Sequence, residues 1–370
     1  MKNNLQLHIV SFSIPYPANY GGVIDVFHKL RLLKQANVKV HLHCFQYDRN
    51  PASILEQYCN TVKYYPRKGG IKALLSSKPY IVASRINETL RNNLERDDFP
   101  ILFEGLHCLG NIPSNERHLL YRESNIEHDY YRALAKADKS IWKGIYYRSE
   151  ANKLEAYESR IALCKDILTV NNADAHYFAE KFPLSKSSYI PSFHANDEVN
   201  ILEGRGNYVL VHGNWLVEEN KVYLDYFLKH IAAEIDAPIK IAGRFIPEKT
   251  SSMYAYIKNI QWINNPDEQT MRALIQQAQV HFLYTEQATG LKLKLLNVLH
   301  LGRHVVLNSK MLAGTDLEEA CHVANQPTAQ IEQIKQLMQQ DFTSKDSEKR
   351  TVQLSNFNNH SNIQKLIKLL

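Results

Sequence analysis

The feature that most constrains this chain lies at its start. Residues Gln6-Leu-His-Ile-Val-Ser-Phe12 read as a buried strand, and Pro15-Tyr-Pro-Ala-Asn-Tyr-Gly-Gly22 supplies a turn. Val23, Val26, Phe27, Leu30 and Leu33 then recur at helical spacing, and Val38-Lys-Val-His-Leu-His-Cys-Phe45 alternates as a strand does. A strand, a crossover helix and a second strand commit the sheet to parallel pairing. The pattern continues through Ile101–Phe103 and Leu119–Tyr121, a helical region from about 141 to 159, and Ile167–Val170. It breaks at Tyr189–Asn196, and Glu203-Gly-Arg-Gly-Asn207 brings two glycines together, so the linker is expected there. A second series follows at Tyr208–His212, Pro238–Gly243, Ile260–Ile263, Val280–Tyr284 and His304–Leu307. The expectation is an α/β chain of two doubly wound parallel-sheet domains, 1–200 and 207–345. A tail, 346–370, ends in an amphipathic helix that packs back towards the first domain. Ligands of such sheets bind beyond the carboxyl ends of the strands, so two facing domains would form a central cleft lined by strand-end loops.

Composition narrows the function. A chain of 370 residues exceeds one ordinary core, and 44% hydrophobic with 22% charged residues excludes disorder and fibrous repeats. No stretch reaches the roughly 20 apolar residues of a membrane-spanning helix, and the polar N-terminus runs directly into a strand, which reads as no signal peptide. The five cysteines are odd in number, widely spaced and lack a Cys-x-x-Cys pair, which suits a reducing cytoplasm better than a disulfide framework or zinc ribbon. The net charge is +6, with basic and aromatic residues concentrated in Tyr65-Pro-Arg-Lys-Gly-Gly-Ile-Lys72 and Ser77-Lys-Pro-Tyr80. Two readings stand: a solvated loop and helix face, or a surface that meets anionic lipid headgroups or a phosphate-bearing acceptor. No nucleic-acid motif accompanies it, so no nucleic-acid partner is expected.

Specific segments carry a resemblance. They are Pro15-Tyr-Pro-Ala-Asn-Tyr-Gly-Gly-Val-Ile-Asp25, Phe103-Glu-Gly-Leu-His107, Asn125-Ile-Glu-His-Asp-Tyr-Tyr131, His212-Gly-Asn214, Thr289-Gly-Leu-Lys-Leu-Lys-Leu-Leu-Asn297 and Gly302-Arg-His304. In this order and spacing the chain resembles bacterial GT-B glycosyltransferases related to family 4, particularly a branch common in Bacteroidetes. The resemblance implies two Rossmann-like domains, the first holding the acceptor and the second a nucleoside-diphosphate sugar. It also implies retention of anomeric configuration. The reaction would move sugar from a UDP- or GDP-linked donor to a glycan or lipid-linked acceptor in cell-surface polysaccharide synthesis. The enzyme would be cytoplasmic or peripheral on the inner face of the cytoplasmic membrane, with no cofactor beyond the donor.

The residues support chemistry of this kind. Gly21 and Gly22 separate the first strand from its helix, where backbone N–H groups and the helix dipole can approach an anion; a plain tight turn explains them equally. A helix beginning near Gly290 would put Lys294 and Asn297 one turn apart on one face, with first-turn N–H groups free for phosphate. Lysines and a helix N-terminus can neutralise a departing pyrophosphate, and no suitable Asp-x-Asp pair is present, so a metal-independent reaction is expected. Lys292 or Lys294 would then stabilise the leaving group together with Arg244, and Thr289-Gly290 would orient sugar hydroxyls. His212, Gly213 and Asn214 end one strand of the second domain and Gly243-Arg244 the next, positions that in the resembled family line the donor base and diphosphate.

The chain also departs from the family. Its usual glutamate pair falls on Thr289 and Asn297, and the histidine beside the reacting sugar falls on Ser124 in the acceptor-side segment Arg122, Ser124, Asn125 and Glu127. Glu104 and His107 are of a type suited to accept a proton or bind hydroxyls instead, although a structural strand-end role for His107 stands beside that reading. The departures motivate an alternative, a non-catalytic GT-B binding or scaffold subunit of a glycan-assembly complex. An epimerase or phosphorylase would share the same cleft.

Overall fold

The computed structural model describes residues 5–137, 140–287 and 291–370. They divide into two compact units, Met1–Phe193 with Asn359–Leu370, and His194–Asn358.

The first unit is built on seven parallel strands: β1 (Gln6–Ser11), β2 (Lys39–Gln46), β3 (Thr61–Pro66), β4 (Ile101–Glu104), β5 (Leu119–Glu123), β6 (Asp166–Thr169) and β7 (Lys186–Tyr189). Their order is β3-β2-β1-β4-β5-β6-β7, so the sheet reverses direction between β1 and β4, where His8 lies opposite Ile101. Side chains alternate between two cores as the pleat requires. Leu7, Ile9, Leu102 and Leu120 enter one cluster with Leu30 and Leu33 of helix α1 (Gly21–Gln35). Val10, Ile101, Phe103 and Tyr121 enter the other with Leu154 and Phe178. Helix Asn359–Ile367 returns to the first cluster through Ile363 and Leu366 and packs on α1.

The second unit has six parallel strands: β8 (Val209–Asn214), β9 (Ile239–Arg244), β10 (Ile260–Asn264), β11 (Val280–Leu283), β12 (His304–Leu307) and β13 (His322–Val323). The order β10-β9-β8-β11-β12-β13 repeats the same reversal, here between β8 and β11. Both units are therefore Rossmann-like and doubly wound.

The units part at Phe193/His194, within the break at Tyr189–Asn196 and ahead of the glycine-bearing stretch Glu203–Asn207 that the sequence reading joined to it. That stretch lies within the second unit, where Gly204 pairs with Phe342 in an antiparallel bridge. The helix Ser344–Gln353 also stays with the second unit, and of the tail only Asn359–Leu370 returns to the first.

A buried ionic cluster explains where the first unit ends. Asp25 on α1 accepts two bonds from Arg122 of β5, Nε to Oδ2 at 3.2 Å and Nη2 to Oδ1 at 3.0 Å, and one from the N–H of Phe193 at 2.7 Å. Arg122 also donates to the carbonyls of Ile190 (2.6 Å) and Pro191 (3.1 Å). Lys29, one turn along α1, bridges Asp25 (3.1 Å) and Glu104 (2.5 Å). Burial alone would raise Asp25; the adjoining Arg122 and Lys29 outweigh it and hold the carboxyl well below the usual range. Removing one member leaves an uncompensated charge in the interior, so Arg122→Ala is expected to lower unfolding stability by about 3–5 kcal/mol in urea titration.

Candidate active site

Each sheet carries a polar cluster at its carboxyl edge. In the first unit, β4 ends at Glu104, Gly105 takes the left-handed conformation (φ 79°), and the chain turns to present His107. A Cβ on Gly105 would sit 3.0 Å from His107 Nδ1, so glycine is needed for conformation and for space. His107 Nδ1 lies 3.7 Å from Glu127 Oε1, makes no hydrogen bond, and its ring is 5.3 Å from that of Phe12. Phe12 in turn fills the space a Cβ on Gly22 would occupy, at 2.7 Å, whereas Gly21, opening α1, has nothing within 4 Å of its Cβ position. No side chain caps this helix start.

The titratable groups here are strongly perturbed. Burial, reinforced by Arg85 and Arg67, drives His107 well below its ordinary value and keeps the ring neutral. Burial raises Glu127 to about 7, with Arg85 opposing. Glu123 on β5 is raised further by burial and by Glu127, although it accepts the N–H groups of Ser124 (3.0 Å) and Asn125 (3.2 Å). The burial that keeps the His107 imidazole neutral also makes it a weak proton acceptor, so the Glu127 carboxyl, poised near 7, is the group here equipped to accept a proton from a hydroxyl.

The structure thus brings His107 and Glu127 together, with Ser124 and Asn125 in the turn that follows Glu123. Glu104 and Arg122 have a different setting. Glu104 is 3% exposed and bound to Lys29, and the Arg122 guanidinium bonds Asp25 and two backbone carbonyls within the core, so both hold the edge together from inside.

In the second unit β8 and β9 run side by side to Gly213 and Gly243, which pair across the sheet. A Cβ on Gly243 (φ 147°) would collide with the Gly213 carbonyl at 1.8 Å, and one on Gly213 would stand 3.3 Å from Lys294 Nζ. The edge is therefore bare backbone faced by an ammonium group. Lys294, in the helix Leu293–Leu301, donates to Asn220 Oδ1 (2.8 Å) and lies over the Tyr223 ring at 4.9 Å. Burial lowers it to about 8 against the pull of Glu219, and Lys292 lowers it further. Lys292 pairs with Glu219 at 3.0 Å. Arg244 ends β9 exposed, its carbonyl accepting the Trp215 N–H (3.0 Å). Asn214 accepts the Leu216 N–H, His212 is buried with burial and Lys294 keeping it neutral, and Asn297 accepts from Asn196 at 2.9 Å. Thr289 and Gly290 lie outside the described residues.

The sequence reading missed Glu219 and Asn220, which hold the two lysines. Its available signal was their place in the first turn of helix Glu218–His230, straight after β8, but acidic residues there are ordinary dipole partners. Among the described residues no group of three or more His, Cys, Asp or Glu is arranged to hold a metal ion.

No model of a known protein family matches the chain. A curated relative, an uncharacterized 44.6 kDa protein in the cps region of Klebsiella pneumoniae, is 26% identical over 326 residues, 83% of this chain and 84% of the relative. A solved glycosyltransferase from Rickettsia africae aligns with a TM-score of 0.64 at 11% identity, over 100% of this chain and 98% of that one. A mutant of S. aureus TarM, solved with UDP, fondaparinux and α-GlcNAc-glycerol, aligns at 0.63 and 10% identity over 100% and 99%. The fold is that of the two-domain GT-B glycosyltransferases.

The raised Glu127 has a checkable sign. The native state keeps that proton up to about pH 7 while the unfolded chain releases it near 4.5, so stability falls as pH rises through this window. Glu127→Gln is expected to match the native protein in chemical denaturation below the window. Above it, the variant should be more stable by about 3 kcal/mol.

Proposed function

We propose that the chain is a glycosyltransferase that moves a sugar from a UDP- or GDP-linked donor to a glycan or lipid-linked acceptor in cell-surface polysaccharide synthesis. The observation that carries the reading is the second unit's edge, where side-chain-free backbone at Gly213 and Gly243 meets the ammonium of Lys294, with Lys292 capping the same helix as Lys294 and Arg244 ending β9. Close backbone approach and fixed positive charge are what a diphosphate requires. In the reaction the bond from the sugar's anomeric carbon to the diphosphate oxygen breaks and a bond to the acceptor oxygen forms. The hydroxyl proton passes to the Glu127 carboxylate with neutral His107 beside it to orient the hydroxyl, and the nucleoside diphosphate leaves with its charge met by Lys294 and Arg244. Glu219 and Asn220 act by positioning the lysines.

Retention and a family-4 relation complete the proposal and rest on the sequence resemblance; independence of metal rests on the lysines and on the lack of a suitable Asp-x-Asp pair. The TarM structure solved with UDP and the relative in a cps region support nucleotide-linked glycan chemistry. We further propose that the protein works at the inner face of the cytoplasmic membrane; no described helix is long and apolar enough to cross one.

A binding-only subunit is the second reading, favoured by Asn297 and Ser124 where the family carries ionisable groups. Thermal shifts with nucleotide sugars separate the two when followed by transfer assays. We expect Lys294→Ala to abolish the shift with the preferred diphosphonucleotide and to cut turnover by at least about tenfold, without loss of fold. Unchanged turnover would overturn the lysine's role; binding without transfer to any acceptor would favour the scaffold.

A further inference from the structure

The first unit buries positive charge that no described carboxylate contacts, Glu127 feeling Arg85 only at a distance. Arg85 is only 2% exposed; its Nε donates to the Phe12 carbonyl (2.9 Å) and its Nη1 to that of Ile81 (2.8 Å). Arg67, at the end of β3, is half-buried and bonds only the Ser84 hydroxyl, through Nε at 3.0 Å. The two guanidiniums share the ring of Tyr47, at 4.6 Å for Arg67 and 5.2 Å for Arg85, and Arg67 also lies over Tyr80 at 5.2 Å. Gly69 makes room for this arrangement, since a Cβ there would stand 2.9 Å from the Tyr80 hydroxyl. Neither arginine forms an ion pair with a carboxylate among the described residues, and the Nη groups of Arg67 make no hydrogen bond. A desolvated Arg85 with a second cation against it and no anion in contact is costly unless a ligand completes the set.

The position says which ligand. Arg85 holds the backbone of Phe12, whose ring touches the His107 site, and both arginines act on the His107 ring. A planar guanidinium pair in which the Arg67 Nη donors are free suits the several oxygens and double charge of a phosphoryl group better than a single carboxylate. We propose that Arg67 and Arg85, with Tyr47 and Tyr80 as walls, form a phosphoryl-binding subsite, so that the acceptor of the glycosyl transfer carries a phosphate close to its reacting hydroxyl. The acceptor assignment rests on the transferase reading; the anion site stands on its own geometry. The phosphate has two sources, a soluble sugar phosphate or a lipid phosphate. Exposed Ile71 (74%) and Leu75 (79%), just beyond Arg67 and interleaved with Lys68 and Lys72, give the second source a surface.

The test measures binding without donor. Wild-type protein is titrated in calorimetry with a hexose 1-phosphate, with glucuronate as carboxylate control, and with neutral vesicles containing a polyprenyl phosphate. We expect one phosphate-bearing probe to bind and glucuronate not to. Arg67→Ala should weaken that probe by about tenfold or more, Arg67→Lys should weaken it less, and the nucleotide shift should be unchanged in both. Binding should also raise the His107 titration followed by NMR, because the new anion offsets the field of the arginines. The hexose phosphate arm identifies a soluble acceptor and the vesicle arm a lipid-linked one. Absence of binding in both arms, glucuronate binding as tightly, or an Arg67→Ala protein indistinguishable from wild type would overturn the subsite. Phosphate binding that survives in Lys294→Ala, where nucleotide binding is lost, separates this subsite from the donor site; phosphate binding without any nucleotide binding would retain the subsite and remove the transferase.

Discussion

The charges of Asp25, Lys29, Glu104 and Arg122 share one desolvated volume, and much of the first unit depends on their mutual compensation. Asp25 and Lys29 belong to the first helix, Glu104 and Arg122 to the central strands, and the carbonyls that Arg122 binds to the segment that ends the unit. One set of ionic bonds therefore clamps helix, sheet and exit segment at the carboxyl edge. Hydrophobic packing alone would leave that edge unspecified, because apolar contacts carry little direction. Buried ionic bonds with defined donors and acceptors supply it, and each member is costly to lose because its partners cannot return to water.

This clamp lies under the His107 and Glu127 pair, and the division of labour is physical. Glu104 is compensated by Lys29, whereas Glu127 has only a distant guanidinium field and a neutral histidine at 3.7 Å. Burial raises both carboxyls, but the Lys29 contact opposes it at Glu104 and holds that side chain as a structural anchor, whereas Glu127 is left to titrate near neutrality. The second unit uses the same logic with the sign reversed. Lys292 is paired directly with Glu219, whereas Lys294 meets a neutral amide and an aromatic face and is depressed towards 8. In each unit one charge is fixed and its neighbour is left adjustable.

The strands that bury both faces were legible in sequence because they are runs of Val, Ile, Leu and Phe. Most of those at sheet edges were not, β10 with its Ile260-Gln-Trp-Ile263 run excepted. Edge strands β3, with Thr61-Val-Lys-Tyr-Tyr-Pro66, and β7, with Lys186-Ser-Ser-Tyr189, pair on one side only and need no continuous apolar run, so periodicity had nothing to detect. The linker reading, which began at Tyr189–Asn196, ran on through the glycines for a related reason. Glycines at 204 and 206 looked like a hinge, but Gly204 pairs with Phe342 and a Cβ on Gly206 would strike the Gln277 carbonyl at 2.4 Å, so these glycines serve close packing.

Sequence by itself determined the two βα series, their parallel sheets, and the residue types gathered at strand ends: His107, Glu127, Gly213, Arg244, Lys292 and Lys294. Local pattern suffices there because a strand's turn lies at the sheet's carboxyl edge wherever the rest of the chain goes. Only tertiary structure decided which of those groups are compensated. Asp25 and Arg122 are 97 residues apart in sequence, as Lys292 and Glu219 are 73, and Arg67 and Arg85 are brought onto one ring by Tyr47 from a different loop. Compensation depends on distance and burial in three dimensions, and a carboxylate or guanidinium reads the same in sequence whether its counter-charge is 3 Å away or absent.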